Sequence, residues 1–244
     1  MQDLPRLHID PHVARLSPGT DLPMTAGQAH YLGAVLRRQP GDRVRLFNAE
    51  DGEWTALITV LRKERGVFRP EHRLRPPAPE PGPVLLFAPL KRDATDLVVR
   101  MATELGVAAL RPVTTERTNA ARINAERWTA IATEAAEQCE RLSVPSIAGP
   151  VRLPDLLGAW DPACPLLVAL ERAEPGEHSG SLAAWRAGAP PDIQPGLLIG
   201  PEGGFSPAER GLLRSRRFVV AATLGPLILR AETAAVAGLA ALRG

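Results

Sequence analysis

Five of the eleven residues in RLRPPAPEPGP, residues 73–83, are proline. Proline fixes φ and removes an amide donor, so this stretch can be neither helix interior nor central strand. It reads as a semi-rigid linker, and it divides two kinds of pattern. Ahead of it, apolar and polar residues alternate. Val44 and Leu46 precede Trp54, Ala56 and Ile58, with Asp51–Gly52 as a hairpin turn between them. One short helix is predicted over 26–38, with Tyr31, Leu32, Val35 and Leu36 on one face and Pro40–Gly41 ending it. The expectation is a small β-barrel over residues 1–73, a type often used to bind RNA or oligosaccharide, followed by the linker at 74–83.

Residues 84–244 follow a different rule. Short apolar runs at 83–90, 107–113, 165–170, 196–200 and 218–225 alternate with helical stretches at 93–106, 124–142, 181–188, 206–215 and 230–243. Asp93 and Asn124 are the expected N-caps of the first two helices. Strands buried on both faces and separated by helices predict an α/β domain with a mainly parallel sheet.

Composition narrows the class. Hydrophobic content of 45% with 23% charged residues is that of a globular chain. No apolar run approaches the roughly 20 residues that span a bilayer. MQDLPRLHID has no signal-peptide core, so a cytoplasmic location without membrane contact is expected. Cys139 and Cys164 lack ligand spacing and the five histidines do not cluster, so no metal site is expected. Lysine occurs only at Lys63 and Lys91; the other basic residues are arginine, whose planar fork suits phosphate. Residues 1–75 hold twelve Lys and Arg against nine Asp and Glu, which turns the N-terminal part toward a polyanion.

The stretch LLIGPEGGFSPAE, residues 197–209, joins a buried strand to a helix. Ser206, Pro207 and Glu209 fit a capping box with proline at the first helical position. Ligands of open α/β sheets bind beyond the carboxyl ends of strands, and Gly200, Gly203 and Gly204 let backbone approach one closely. Neither GxxxxGK[ST] nor GxGxxG is present. Glu202 would repel a pyrophosphate, so the loop suits a ligand with hydrogen-bond donors or positive charge, a description that S-adenosylmethionine fits. A second loop, TLGPLILRAETA at 223–234, offers Leu224, Leu227, Ile228 and Leu229 as walls for a flat ring. Arg230, Glu232 and Thr233 then open the last helix.

LLIGPEGGFSPAE followed by LGPLILRAETAA resembles the paired signature of SPOUT methyltransferases, most closely the RsmE family, ribosomal RNA small-subunit methyltransferase E. ELGV at 104–107, Glu116–Arg117, EQCERLSVP at 137–145 and HYLGAVLRRQPGDRVRLF at 30–47 resemble other segments of that family. The family commonly has lysines where Ala94 and Met101 stand, and a polar residue where Leu142 stands. The resemblance implies a PUA-like RNA-binding domain, a C-terminal domain tied in a trefoil knot, and a homodimer. It implies S-adenosyl-L-methionine as cofactor, held by Leu170, Leu198, Ile199, Gly200, Glu202, Gly203, Leu224, Gly225, Leu227 and Leu229. The implied reaction methylates ring nitrogen N3 of one uridine in small-subunit ribosomal RNA. Arg230 is the candidate for stabilising negative charge on uracil, and Glu232 for accepting the proton. Arg6, Arg37, Arg38, Arg117 and Arg141 are the candidate RNA-binding residues. Two alternatives stay open: an enzyme of the same fold acting on another RNA such as tRNA, and a non-catalytic RNA-binding assembly factor.

Overall fold

The computed structural model describes residues 4–118, 123–170 and 180–243. The chain forms two compact units. One runs through Glu80 and also takes in Ala136–Val144; the other comprises Pro81–Ala135 and the chain from Pro145 onward.

In the first unit, β1 (Arg6–His8), β2 (Leu22–Pro23), β3 (Arg43–Asn48), β4 (Gly52–Arg62) and β5 (Arg65–Arg75) form one sheet in the order β1-β3-β4-β5-β2. The predicted alternation holds: Val44, Leu46, Ala56 and Ile58 are wholly buried in one core with Leu32 and Phe68. Burying each of the Val, Leu, Ile and Phe side chains contributes about 1.5–3 kcal/mol. Among the described residues no ladder joins β1 to β2. β5 runs through Arg75, into the proline-rich stretch.

The helix expected over 26–38 is shorter and changes type. α1 (Ala26–His30) starts from a capping box of Thr25 and Gln28, then passes into a π turn over Tyr31–Val35. The Leu36 amide accordingly reaches back five residues to the Tyr31 carbonyl. That wider turn shifts the helical phase, so Leu32 is buried while Tyr31 is 38% and Val35 60% exposed. The predicted single apolar face does not form.

In the second unit, β6 (Val84–Phe87), α2 (Arg92–Glu104), β7 (Ala109–Thr114), α3 (Ala125–Gln138, whose last three residues belong to the first unit), β8 (Ser146–Ile147), β9 (Val151–Arg152) and α4 (Leu153–Ala159) come first. β10 (Leu166–Ala169), β11 (Gly180–Ser181), α5 (Leu182–Gly188), β12 (Gly196–Ile199), α6 (Pro207–Arg214), β13 (Val219–Thr223) and α7 (Ala231–Arg243) follow. The sheet order is β11-β13-β10-β12-β6-β7-β8, with β9 also on β7. Every ladder in it among the described residues is parallel, as strands wrapped by helices require.

Two details of this unit differ from the sequence reading. Asp93 lies inside the first turn of α2, whose N-cap is Lys91 with no side-chain cap bond. Thr95 Oγ1 instead accepts from the Leu90 amide at 3.0 Å. Asn124 does cap α3, accepting from the Arg127 amide at 3.0 Å, but that helix stops at Gln138 rather than 142. Glu140, at φ 61°, turns the chain away from the helical path.

Candidate functional site

The crossover from β12 to β13 passes over β10, so β13, β10 and β12 lie side by side. Their register pairs Ala169 with both Ile199 and Ala222, which brings the three carboxyl ends level. A cavity of about 640 Å³ opens there, lined from the ends of all three strands.

Local chemistry shapes its two main loops. Ser206 Oγ accepts from the Glu209 amide, Glu209 Oε2 accepts from the Ser206 amide, and Pro207 opens α6, so the expected capping box is present. Ahead of it the Gly204 amide donates to the Pro201 carbonyl at 2.8 Å, closing a tight turn. Gly204 sits at φ +66° and Gly225 at φ +122°, conformations that a side chain would strain. Thr223 Oγ1 accepts from the Gly225 amide at 3.2 Å and holds the second loop at its root. The Arg230 carbonyl accepts from the Ala234 amide at 2.7 Å and starts α7.

Most residues expected at the cofactor meet in this cavity. Leu170 lines it from β10; Ile199, Gly200, Glu202 and Gly203 line it from the first loop. Leu224, Gly225, Leu227, Leu229 and Arg230 line it from the second. Leu198 does not. Side chains alternate across a strand, and Leu198 turns into the core with Leu86, Val113 and Leu153. Glu232 does not line it either: each helical residue turns by about 100°, so a side chain two positions beyond Arg230 projects elsewhere. Glu202 is the single carboxylate in the lining among the described residues.

The cavity also contains Arg117, Phe205 and Arg210, which the sequence reading did not assign to it. Arg117 was expected on RNA; here its Nη1 donates to the Gly203 carbonyl at 2.8 Å. Phe205 is buried and packs with Leu198 and Leu213 beneath the loop. Arg210 lies four residues after the cap at Ser206, one turn into α6, and that spacing was available in the sequence.

The other expected RNA contacts lie in the first unit and divide by exposure. Arg37 is exposed. Arg38 is half-buried, with Nε buried and without a hydrogen-bond partner among the described residues. Arg6 is not available to a phosphate. Its side chain is 3% exposed, stacks 3.4 Å from the Phe47 ring centroid, and pairs with Glu53 Oε1 at 3.1 Å. It also donates to the carbonyls of Ala136, at 2.6 Å, and Arg141. Burial pulls the Arg6 guanidinium below its ordinary value, against the attraction of Glu53. Arg141 is buried as well, donating to Ser143 Oγ at 2.9 Å. Leu142 packs in an apolar cluster with Phe47 and Ala136.

Among the described residues, no group of three or more His, Cys, Asp and Glu gathers as a metal cluster would, and no helix is long and apolar enough to cross a membrane. Cys164 lies outside the cavity, its Sγ 3.4 Å from the Gln194 carbonyl, and burial pushes its thiol up.

A parallel sheet with a loop-lined cavity at its carboxyl edge, joined to a small β unit, defines a class. Residues 79–243 match the RNA methyltransferase domain family, and residues 25–71 match the RNA methyltransferase PUA domain family. A ribosomal RNA small subunit methyltransferase E of Rickettsia conorii is 35% identical over 214 residues, covering 88% of this chain and 85% of its own. Its Synechocystis counterpart is 34% identical over 221 residues, covering 89% of this chain and 71% of its own. This chain belongs to that family, the ribosomal RNA small subunit methyltransferases E. A solved member from Neisseria gonorrhoeae bound to S-adenosyl methionine superposes with a TM-score of 0.82 at 27% identity, covering 98% of this chain and 97% of its own. A protein of Legionella pneumophila solved with the cofactor SAM gives 0.84 at 28% identity, with the same coverage.

Proposed function

We propose that this protein uses S-adenosylmethionine to methylate N3 of one uridine in small-subunit ribosomal RNA. The observation that carries the reading is the cavity at the ends of β10, β12 and β13. Its volume lies in the roughly 300–1,000 Å³ range of small-molecule sites. Its chemistry suits this cofactor: Leu224, Leu229 and Ile199 give apolar walls for a flat ring, and Glu202 offers a carboxylate to donors and positive charge. When bound, the cofactor supplies an electrophilic methyl group. The knot is part of the same reading, with the two lining loops as its knotted segment.

The residues then divide the work. Neutral uridine carries a proton on N3 and is a weak nucleophile until that proton leaves. Arg230, exposed at the cavity mouth, stabilises the negative charge that spreads onto the uracil carbonyls. The apolar second loop excludes water, which strengthens that interaction. We keep Glu202 for cofactor binding and assign no proton transfer to Glu232, because that side chain lies outside the cavity lining; the N3 proton passes to solvent water as the uridine enters the site. The uridine must leave its stack to reach the site. Exposed Arg37 holds RNA phosphate and sets register. Leu227 and Ile228, 76% and 57% exposed beside the cavity, are the apolar surface that a second copy covers in a homodimer.

Mass-spectrometric mapping of modified uridines in ribosomal RNA, from cells with and without the protein, tests this function. One N3-methyluridine should vanish from the small subunit in its absence. An unchanged small subunit with a lost methyl group in tRNA would move the substrate elsewhere. No lost methyl group anywhere would leave an RNA-binding factor without catalysis.

A further inference from the structure

Resting on that reading, the geometry points to a brace on the cofactor loop: Thr115–Thr118 holds residues 203–206 in their binding shape, with Glu209 and Arg117 as its positioning residues. This segment leaves the carboxyl end of β7, two strands away from β12 in the sheet order. It is itself a closed turn. The Thr118 amide donates to the Thr115 carbonyl at 3.1 Å, the Thr115 amide donates to Thr118 Oγ1 at 2.9 Å, and the two hydroxyls lie 2.8 Å apart.

Two bonds tie that turn to the cofactor loop. Glu209 Oε1 accepts from the Glu116 amide at 2.8 Å, while its Oε2 accepts from the Ser206 amide at 2.9 Å. One buried carboxylate therefore joins the backbone at Ser206 to that at Glu116, which lies 93 residues before Glu209. The second tie is Arg117 Nη1 on the Gly203 carbonyl, next to Glu202. Capping α6 needs only the Ser206 bond; the Glu116 bond exceeds what the helix requires. An ordinary capping glutamate stabilises a helix end, whereas this one also fixes where the following turn of another loop sits. The glycines at 200, 203 and 204 leave the cofactor loop many conformations, and the brace selects one before the ligand arrives, which is preorganisation.

The test is a double-mutant cycle with S-adenosylmethionine as titrant, using R117A, E209Q and the double variant of the full chain. Glutamine keeps the shape of Glu209 but sets an NH2 against one of the two amides. Each single change should weaken cofactor affinity about tenfold, and the double variant should match the weaker single. KM for the cofactor should rise in each variant. Hydrogen exchange without ligand should quicken across residues 200–206 in both single variants, with α7 unchanged. Unchanged affinity and exchange in R117A, or losses that multiply in the double variant, overturn the brace. R117A also decides the matter if E209Q fails to fold. Should the wild type bind no S-adenosylmethionine, the proposed function fails, and exchange at 200–206 still judges the brace.

Discussion

Replacing Arg6 with alanine separates a structural role from an RNA contact. Its guanidinium is buried, and it meets Glu53, the carbonyls of Ala136 and Arg141, and the Phe47 ring. Breaking a buried ion pair from one side costs about 3–5 kcal/mol, because the remaining charge stays buried. Glu53, 2% exposed, would keep Arg45 at 3.3 Å and Arg75 at 2.5 Å. The loss therefore falls near the lower end, about 3 kcal/mol, which for a chain of this length lowers Tm by roughly 6–12 °C. Loss of the two hydrogen bonds to the Ala136 and Arg141 carbonyls adds to it. Thermal unfolding of R6A beside R37A is the assay. R37A alters an exposed side chain and should move stability by no more than about 0.5 kcal/mol. In RNA binding the order reverses: R37A should lower the salt dependence of affinity and R6A should not. An R6A protein that melts like the wild type yet loses a phosphate contact would refute this reasoning.

Three further outcomes follow from single sites. Ser206→Ala removes the acceptor of the Glu209 amide and should cost about 1 kcal/mol in denaturant unfolding, with no change if the cap contributes nothing. Gly238→Ala gains roughly 1 kcal/mol of helix propensity but places a Cβ 2.7 Å from Leu197 Cδ2, in a wholly buried contact of α7 on β12. Overpacking at about 1–3 kcal/mol should win, so a stabilised variant would contradict the packing described. Glu80 bears a burial cost that is outweighed by the Leu142 and Ser143 amides and the Ser143 hydroxyl, which hold its carboxyl below the ordinary carboxylate range. Its contribution is fully present above the unfolded pKa and fades as pH drops through the folded one. Acid unfolding should thus weaken the wild type between these values, and E80Q should flatten that part of the curve.

Periodicity and capping were legible because they act within a few residues. The parallel strands of the second unit follow from their unbroken apolar runs, and the Ser206 capping box from three neighbouring residues. Strand alternation could also have separated Ile199, which lines the cavity, from Leu198, which does not. Tyr31 and Val35 escaped because a π turn breaks the 3.6-residue phase on which their assignment rested. Asp93 lost the cap position because Thr95 bonds the preceding loop instead. The arginines were the least legible. Arginine content shows affinity for anions, but the anion is chosen by distant chain. Arg6 finds Glu53 across 47 residues, and Arg117 finds the Gly203 carbonyl across 86.

The central claim is that the acidic glycine loop and the leucine loop together hold a positively charged methyl donor. Calorimetric titration of the wild type and Glu202→Ala with S-adenosylmethionine, and separately with a dinucleotide, measures this most directly. One cofactor should bind per chain, with affinity about tenfold weaker in the variant and no heat from the diphosphate. Equal affinity in both proteins, or a diphosphate that binds in place of the methyl donor, would contradict it.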